Sequence, residues 1–113
     1  MDISETRREE IVVLRLSGRL DARTAGTLAT RLRDSIDAGE RRFIVDAERL
    51  TFVDSAGLQT LLVAAKRLKP LAGRIALSAL REPIRRIFDI AGLSMLFGIY
   101  PDESAAVAAL RSR

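Results

Sequence analysis

Residues Arg42–Leu68 read RFIVDAERLTFVDSAGLQTLLVAAKRL, and their reading decides the fold. The apolar run Phe43-Ile44-Val45, closed by Asp46, has the composition of a buried strand. A short polar interval leads to Leu50-Thr51-Phe52-Val53 and then to Asp54-Ser55-Ala56-Gly57. Behind that tetrapeptide, Leu58, Leu61, Leu62, Ala65 and Leu68 recur at helical spacing and define one apolar stripe. A strand thus feeds a turn, and the turn feeds a helix. The spacing puts the Ser55 hydroxyl at or beside a helix N-terminus, where free backbone N–H groups and the positive dipole end favour negative charge.

Asp and Ser are preferred N-caps, because a side-chain oxygen accepts from the free amides of the first turn. On spacing alone, a cap outweighs a functional serine. The capping box is absent, since Leu58 stands three residues after Ser55 and Gly57 three after Asp54. Ala56 and Gly57 read as small residues that leave the hydroxyl uncovered, Gly57 at a helix cost of roughly 0.5–1 kcal/mol relative to Ala.

Working outward, a short edge strand is expected around Ile3, followed by a polar turn through Arg7 to Glu10. Ile11–Leu16 is apolar on both faces and reads as a central strand that Gly18 breaks. A helix is expected over Thr24–Ala38, with Ala25, Leu28, Leu32 and Ile36 inward, Asp21 or Thr24 as its cap and Gly39 at its end. Past the Ser55 helix, closed by Pro70 and Gly73, Arg74–Leu80 reads as a strand. Pro83 suits the first turn of a helix over Glu82–Ala91, with Ile84, Ile87, Phe88 and Ile90 inward, and Gly92 ends it. Leu96–Tyr100 is a last short strand, and Asp102 or Glu103 starts a final helix carrying Ala106, Val107 and Leu110.

Strands alternating with helices imply right-handed crossovers, and so an α/β fold with a mixed, mostly parallel sheet of four to five strands and about four helices. One domain over residues 1–113 accommodates all of it, without linker, repeat or low-complexity segment. In such sheets the working loops lie at the carboxyl ends of the strands. Asp21, Ser55 and the segment Glu82–Arg86 are therefore expected at one end of the molecule.

Composition narrows the chemistry. The chain has no His and no Cys. That removes Ser-His-Asp catalysis, thiolate chemistry and the common zinc and iron ligand sets, so neither metal nor cofactor is expected. The only lysines, Lys66 and Lys69, lie at the far end of the helix that Ser55 begins. At 1.5 Å rise per residue they are about 16 Å or more away, too far for a Ser-Lys hydrolase. An enzyme is not expected. No apolar run is long enough to span a membrane, and the mixed-charge start MDISETRREE is unlike a secretory signal, so a cytoplasmic location is expected. The net charge of +4 is spread over scattered Arg among 15 acidic residues, without interleaved aromatics, and argues against direct nucleic-acid binding.

The order of elements, the segment Leu16-Ser-Gly-Arg-Leu-Asp21, and Leu50-Thr-Phe-Val-Asp-Ser-Ala-Gly-Leu58 resemble the bacterial anti-sigma factor antagonists. These belong to the sulphate transporter and anti-sigma factor antagonist (STAS) domains. The likeness continues through Pro83-Ile-Arg-Arg-Ile-Phe-Asp-Ile-Ala-Gly-Leu93 and Asp102-Glu103-Ser104. The resemblance implies a binding switch. The unphosphorylated antagonist binds an anti-sigma factor, commonly a serine kinase, and so frees a sigma factor. Phosphorylation of the motif serine, here Ser55, turns binding off, and a serine phosphatase reverses it. The resemblance also implies that Asp21 and Asp54 lie near the partner surface, that Ala56, Gly57 and Leu58 form a docking turn, and that Arg85 and Arg86 match a basic pair flanking it. A monomer suffices when the protein is free. Many relatives carry two adjacent hydroxyl residues, whereas Ala56 follows Ser55 here, leaving one acceptor.

The same resemblance covers modules that are never phosphorylated, such as scaffold subunits of lipid-transport ABC systems or of larger signalling complexes. A receiver domain phosphorylated on Asp46 would want paired acids after an early strand and a lysine after a late one, and neither is visible.

Overall fold

The computed structural model describes residues 1–111; the last two residues of the expected domain lie outside that range. Five strands form one sheet in sequence order: β1 (Asp2–Arg8), β2 (Ile11–Leu20), β3 (Arg42–Val53), β4 (Arg74–Ser78) and β5 (Gly98–Tyr100). β1 runs antiparallel to β2, and the other neighbours are parallel. The helices are α1 (Ala25–Asp37), α2 (Ser55–Leu68), α3 (Glu82–Ile90) and α4 (Glu103–Arg111). The expected fold class, a mostly parallel five-stranded sheet with four helices, is what forms.

Successive crossovers step in one direction across the sheet, so α1, α2 and α3 cover the same face. Their stripes, including Leu28, Leu32, Leu61, Leu68, Ile84 and Phe88, close over Val12, Leu14, Phe43, Val45, Ile75 and Leu77. α4 alone covers the opposite face, setting Ala106, Val107 and Leu110 on Ile11, Val13, Ile44 and Ala76. β2 and β3 are buried on both faces, which is why their sequences read as continuous apolar runs rather than as alternation.

Several boundaries differ from the sequence reading. β1 runs through Arg8, and the turn to β2 is only Glu9-Glu10, with Glu9 at φ +60°. Gly18 does not end β2. It sits at φ +101° where the β2–β3 register shifts, a bulge that only a residue without Cβ enters cheaply. The polar interval in Asp46–Arg49 does not divide β3 either: Ala47 remains buried and pairing with β2 resumes at Arg49. β4 stops at Ser78 because Ala79 turns to φ +57°, and β5 starts at Gly98 rather than Leu96, because Leu96 and Phe97 are a turn and a bend that follow a one-turn 3-10 helix at Leu93–Met95. Of the four residues assigned inward on α3, Ile84 and Phe88 are buried, but Ile87 is 37% exposed and Ile90 is 80% exposed. This nine-residue helix buries only its i, i+4 line, Ile84 and Phe88.

Candidate functional site

The carboxyl ends of β2 and β3 are adjacent, with Leu20 paired to Val53. The chain leaves both strands there, and the loop after each is tied to the other. The Asp54 amide donates to the Leu20 carbonyl at 3.2 Å. The Asp54 carboxylate accepts twice: Oδ1 from the Gly57 amide at 3.0 Å, and Oδ2 from the Ala22 amide at 3.1 Å. Asp54 is therefore the N-cap of α2 and also the clasp that holds the Asp21 loop against it.

With Asp54 as cap, Ser55 becomes the first helical residue. It is exposed, and its hydroxyl makes no hydrogen bond with any described residue. The cap reading of the Asp-Ser pair is thus correct for Asp54 and leaves Ser55 uncommitted.

Asp21 caps nothing directly. Its Oδ1 accepts from the Arg23 amide at 3.0 Å, its own amide donates to Thr24 Oγ1 at 3.0 Å, and that hydroxyl donates to the Arg19 carbonyl at 2.8 Å. Thr24 occupies the N-cap position of α1 without a side-chain cap. Partial burial works against the Asp21 charge, but the Arg23 amide, the Arg19 guanidinium and the Thr24 hydroxyl hold its carboxyl below the usual aspartate range. Arg19 lies over the Phe52 ring, 4.0 Å from its centroid, which fixes this cation beside Asp21.

Gly57 is corrected. It is buried, and a Cβ there would lie 2.7 Å from the Leu20 carbonyl oxygen, 2.7 Å from Leu20 Cγ and 2.9 Å from Val53 Cγ2. Its smallness lets the first turn of α2 approach the strand ends. Ala56 and Leu58 are half-buried and lean on the same core. Arg85 and Arg86 lie on α3, and among the described residues no bond ties them to this turn. β4 ends at Ser78, level with Asp46, and Arg81 donates to the Glu48 carbonyl, so α3 starts beside the middle of β3. Arg85 pairs with Asp89 and Arg86 with Glu82 inside α3, and neither bonds Asp21 or Asp54.

Sequence reasoning passed over a second polar group, on the α4 face. Asp46 is only 8% exposed. Burial first, and its hydrogen bond with Glu103 second, push its carboxyl up to about 6. Arg15 grips Glu103 with two bonds, at 2.6 and 2.9 Å, and holds that carboxyl below its usual range. A lone acid at the end of an apolar run was the available signal, but its partner on α4 lies 57 positions downstream. Among the described residues no group of acidic side chains is arranged to hold a metal ion.

The STAS domain family profile matches residues 2–106. BtrV of Bordetella bronchiseptica is 30% identical over 112 residues, covering 99% of this chain and 97% of that protein. The anti-sigma F factor antagonist of Paenibacillus polymyxa is 30% identical over 101 residues, covering 88% of this chain and 86% of that one. Among solved structures, the anti-sigma factor antagonist SpoIIAA in its unphosphorylated form superposes with a TM-score of 0.79 at 26% identity, covering 99% of this chain and all of that one. The Bacillus SpoIIAA in its phosphorylated form gives the same TM-score at 28% identity, with 97% of this chain and all of that one covered.

Proposed function

The chain belongs to the STAS domain family, and from that premise we propose that it is an anti-sigma factor antagonist switched at Ser55. Unphosphorylated, it binds an anti-sigma factor and so releases a sigma factor. Asp21, Asp54, Ser55, Ala56 and Leu58 make the contact, with Gly57 setting the shape of the turn and Arg85 and Arg86 at the outer flank. The anti-sigma factor is the serine kinase that modifies Ser55, and a serine phosphatase restores the binding form. The free chain is a cytoplasmic monomer that works by binding, not by catalysis.

The observation that carries this reading is the division of labour between Asp54 and Ser55. Asp54 does the structural work of the turn, so the exposed Ser55 hydroxyl is open to a kinase without cost to the fold. A phosphate there adds about −1.5 to −2 charges and three acceptor oxygens. The α2 N-terminus tolerates that charge, with a gain of about 0.3–1 kcal/mol. A partner packed on the same spot meets added bulk, a dianion to desolvate and a surface to which Asp21 and Asp54 already contribute two carboxylates. Like-charge juxtaposition at an interface costs several kcal/mol, and each ~1.4 kcal/mol is tenfold in affinity. The fold need not move for binding to be lost. Relatives named as antagonists, rather than as transport subunits, support this over the scaffold reading.

The test is a pull-down from the native cell with wild type, Ser55→Ala and Ser55→Asp, followed by intact-protein and peptide mass spectrometry. Phosphate on Ser55 is expected, with a kinase-like anti-sigma factor recovered by wild type and Ser55→Ala but lost by Ser55→Asp. Unchanged partner affinity after stoichiometric Ser55 phosphorylation would overturn the switch.

A further inference from the structure

At the opposite end of α2 from Ser55, β5 pairs with β4 only over Ala76–Ser78, leaving the edge of β4 open at Arg74 and Ile75. The open edge makes a cleft of about 590 Å³, within the ~300–1,000 Å³ range of small-molecule sites. Its floor is apolar, built from Ala65, Ile75 and Phe97, and Met95 and Leu96 stand exposed at its mouth, Met95 at 92%. Its rim carries Lys66, Lys69 and Arg74.

The charge lining this cleft is all of one sign. The chain has 15 acidic residues, and none lines it. Ten arginines elsewhere are in ion pairs with carboxylates. The only two lysines of the chain both stand at this rim, and among the described residues neither side chain has a hydrogen-bond or ion-pair partner. Cations in the last turn of a helix suit its dipole, but that preference requires neither an apolar floor nor the exclusion of carboxylates. Three cations over an apolar trough complement one ligand chemistry, a single chain of methylenes ending in an anion.

We propose that this cleft binds a single-chain anionic amphiphile, its apolar chain along Ile75 and Phe97 and its phosphate or carboxylate head at Lys66 and Lys69. The site is independent of the Ser55 switch, since some 16 Å of helix separates Lys66 from Ser55. Each cation–anion contact at this exposed rim is worth a few-fold in affinity, so loss of both lysines weakens binding about tenfold.

The test uses dodecyl phosphate below its micelle concentration, titrated into the full chain and followed by two-dimensional amide NMR and calorimetry. Dodecyl maltoside and inorganic phosphate serve as the neutral-head and head-only controls. Saturable one-to-one binding is expected, with shifts at Gly73–Ala76 and Met95–Gly98, little response to either control, and about tenfold weaker binding by the Lys66→Gln/Lys69→Gln chain. Both lysines are exposed, so that variant is expected to keep its amide spectrum. Absence of saturable binding, equal binding of the maltoside, or indifference to the double substitution would each overturn the proposal. Sedimentation with phosphatidylglycerol vesicles without binding of monomeric dodecyl phosphate would also overturn it, and would assign the cations to a membrane surface instead.

Discussion

Replacing Gly57 by Ala tests whether the Ser55 turn depends on close packing. In an ordinary first turn this change is mildly stabilising, because Ala gains about 0.5–1 kcal/mol over Gly in a helix. Here the added methyl carbon would meet three atoms at 2.7–2.9 Å, one of them the Leu20 carbonyl oxygen, and Leu20 is fully buried. A side chain can rotate aside, but a backbone oxygen in the β2–β3 pairing cannot. Overpacking of this kind costs about 1–3 kcal/mol, so after the helix gain a net loss of about 1–2 kcal/mol is expected. That lowers Tm on the order of 5–10 °C for a domain of this size. Gly26, on the exposed side of α1, is the matched control: nothing lies within 4 Å of its would-be Cβ, and Gly26→Ala is expected to raise stability by up to ~1 kcal/mol. Urea titrations of the two variants beside wild type, compared at constant m, give the opposite signs directly. Relief of the clash by tilting α2 would also move Ser55, so partner affinity should fall with Gly57→Ala and hold with Gly26→Ala. Two variants of equal stability, or a stabilised Gly57→Ala, would refute the close approach of α2 to Leu20.

Two further outcomes follow from the polar clusters. Asp54→Ala removes the α2 cap and the clasp on Ala22 together, and a loss of about 1–2 kcal/mol is expected in urea titration, with faster amide exchange at Ala22 and Gly57 as the local signature. Asp46 has a folded-state value near 6 against an unfolded 3.8. A raised carboxyl favours the folded state most below its unfolded value, and stability is then lost as pH rises from about 4 to 6. Glu103 is shifted the other way, so its contribution is lost only as pH falls below its ordinary value of 4.5, outside most of that window. Allowing for water at the open side of the cluster, the loss between pH 4.5 and 7.5 is expected to be about 1–2 kcal/mol. Asp46→Asn, which keeps a donor for Glu103, should abolish most of that slope. An identical pH slope in wild type and Asp46→Asn would remove Asp46 as its origin.

Local chemistry made most of the fold readable from the chain. Periodicity identified α1, α2 and α4, apolar runs identified β2 and β3, and alternation of strand with helix after β2 implied a mostly parallel sheet, because each pattern reflects only which faces must leave water. The Asp54-Ser55 pair also announced a helix start by its own chemistry. What the sequence could not specify were decisions that depend on a distant neighbour. Gly18 looks like a strand breaker until β3 lies beside it and makes the same conformation a bulge. Ile90 has the composition of a core residue, yet as the last residue of the short α3 it lies off the buried Ile84–Phe88 line. Gly57 appears in the sequence as a small residue beside a serine, and only the approach of Leu20, 37 positions away, makes it the residue that sets the turn. Ser55 is the clearest division. Its residue type and its place at the head of a helix were set by the chain itself. Asp54 caps the helix locally through the Gly57 amide and so leaves that hydroxyl free, whereas the clasp of Asp54 on the Ala22 amide, 32 positions away, was decided by tertiary structure alone.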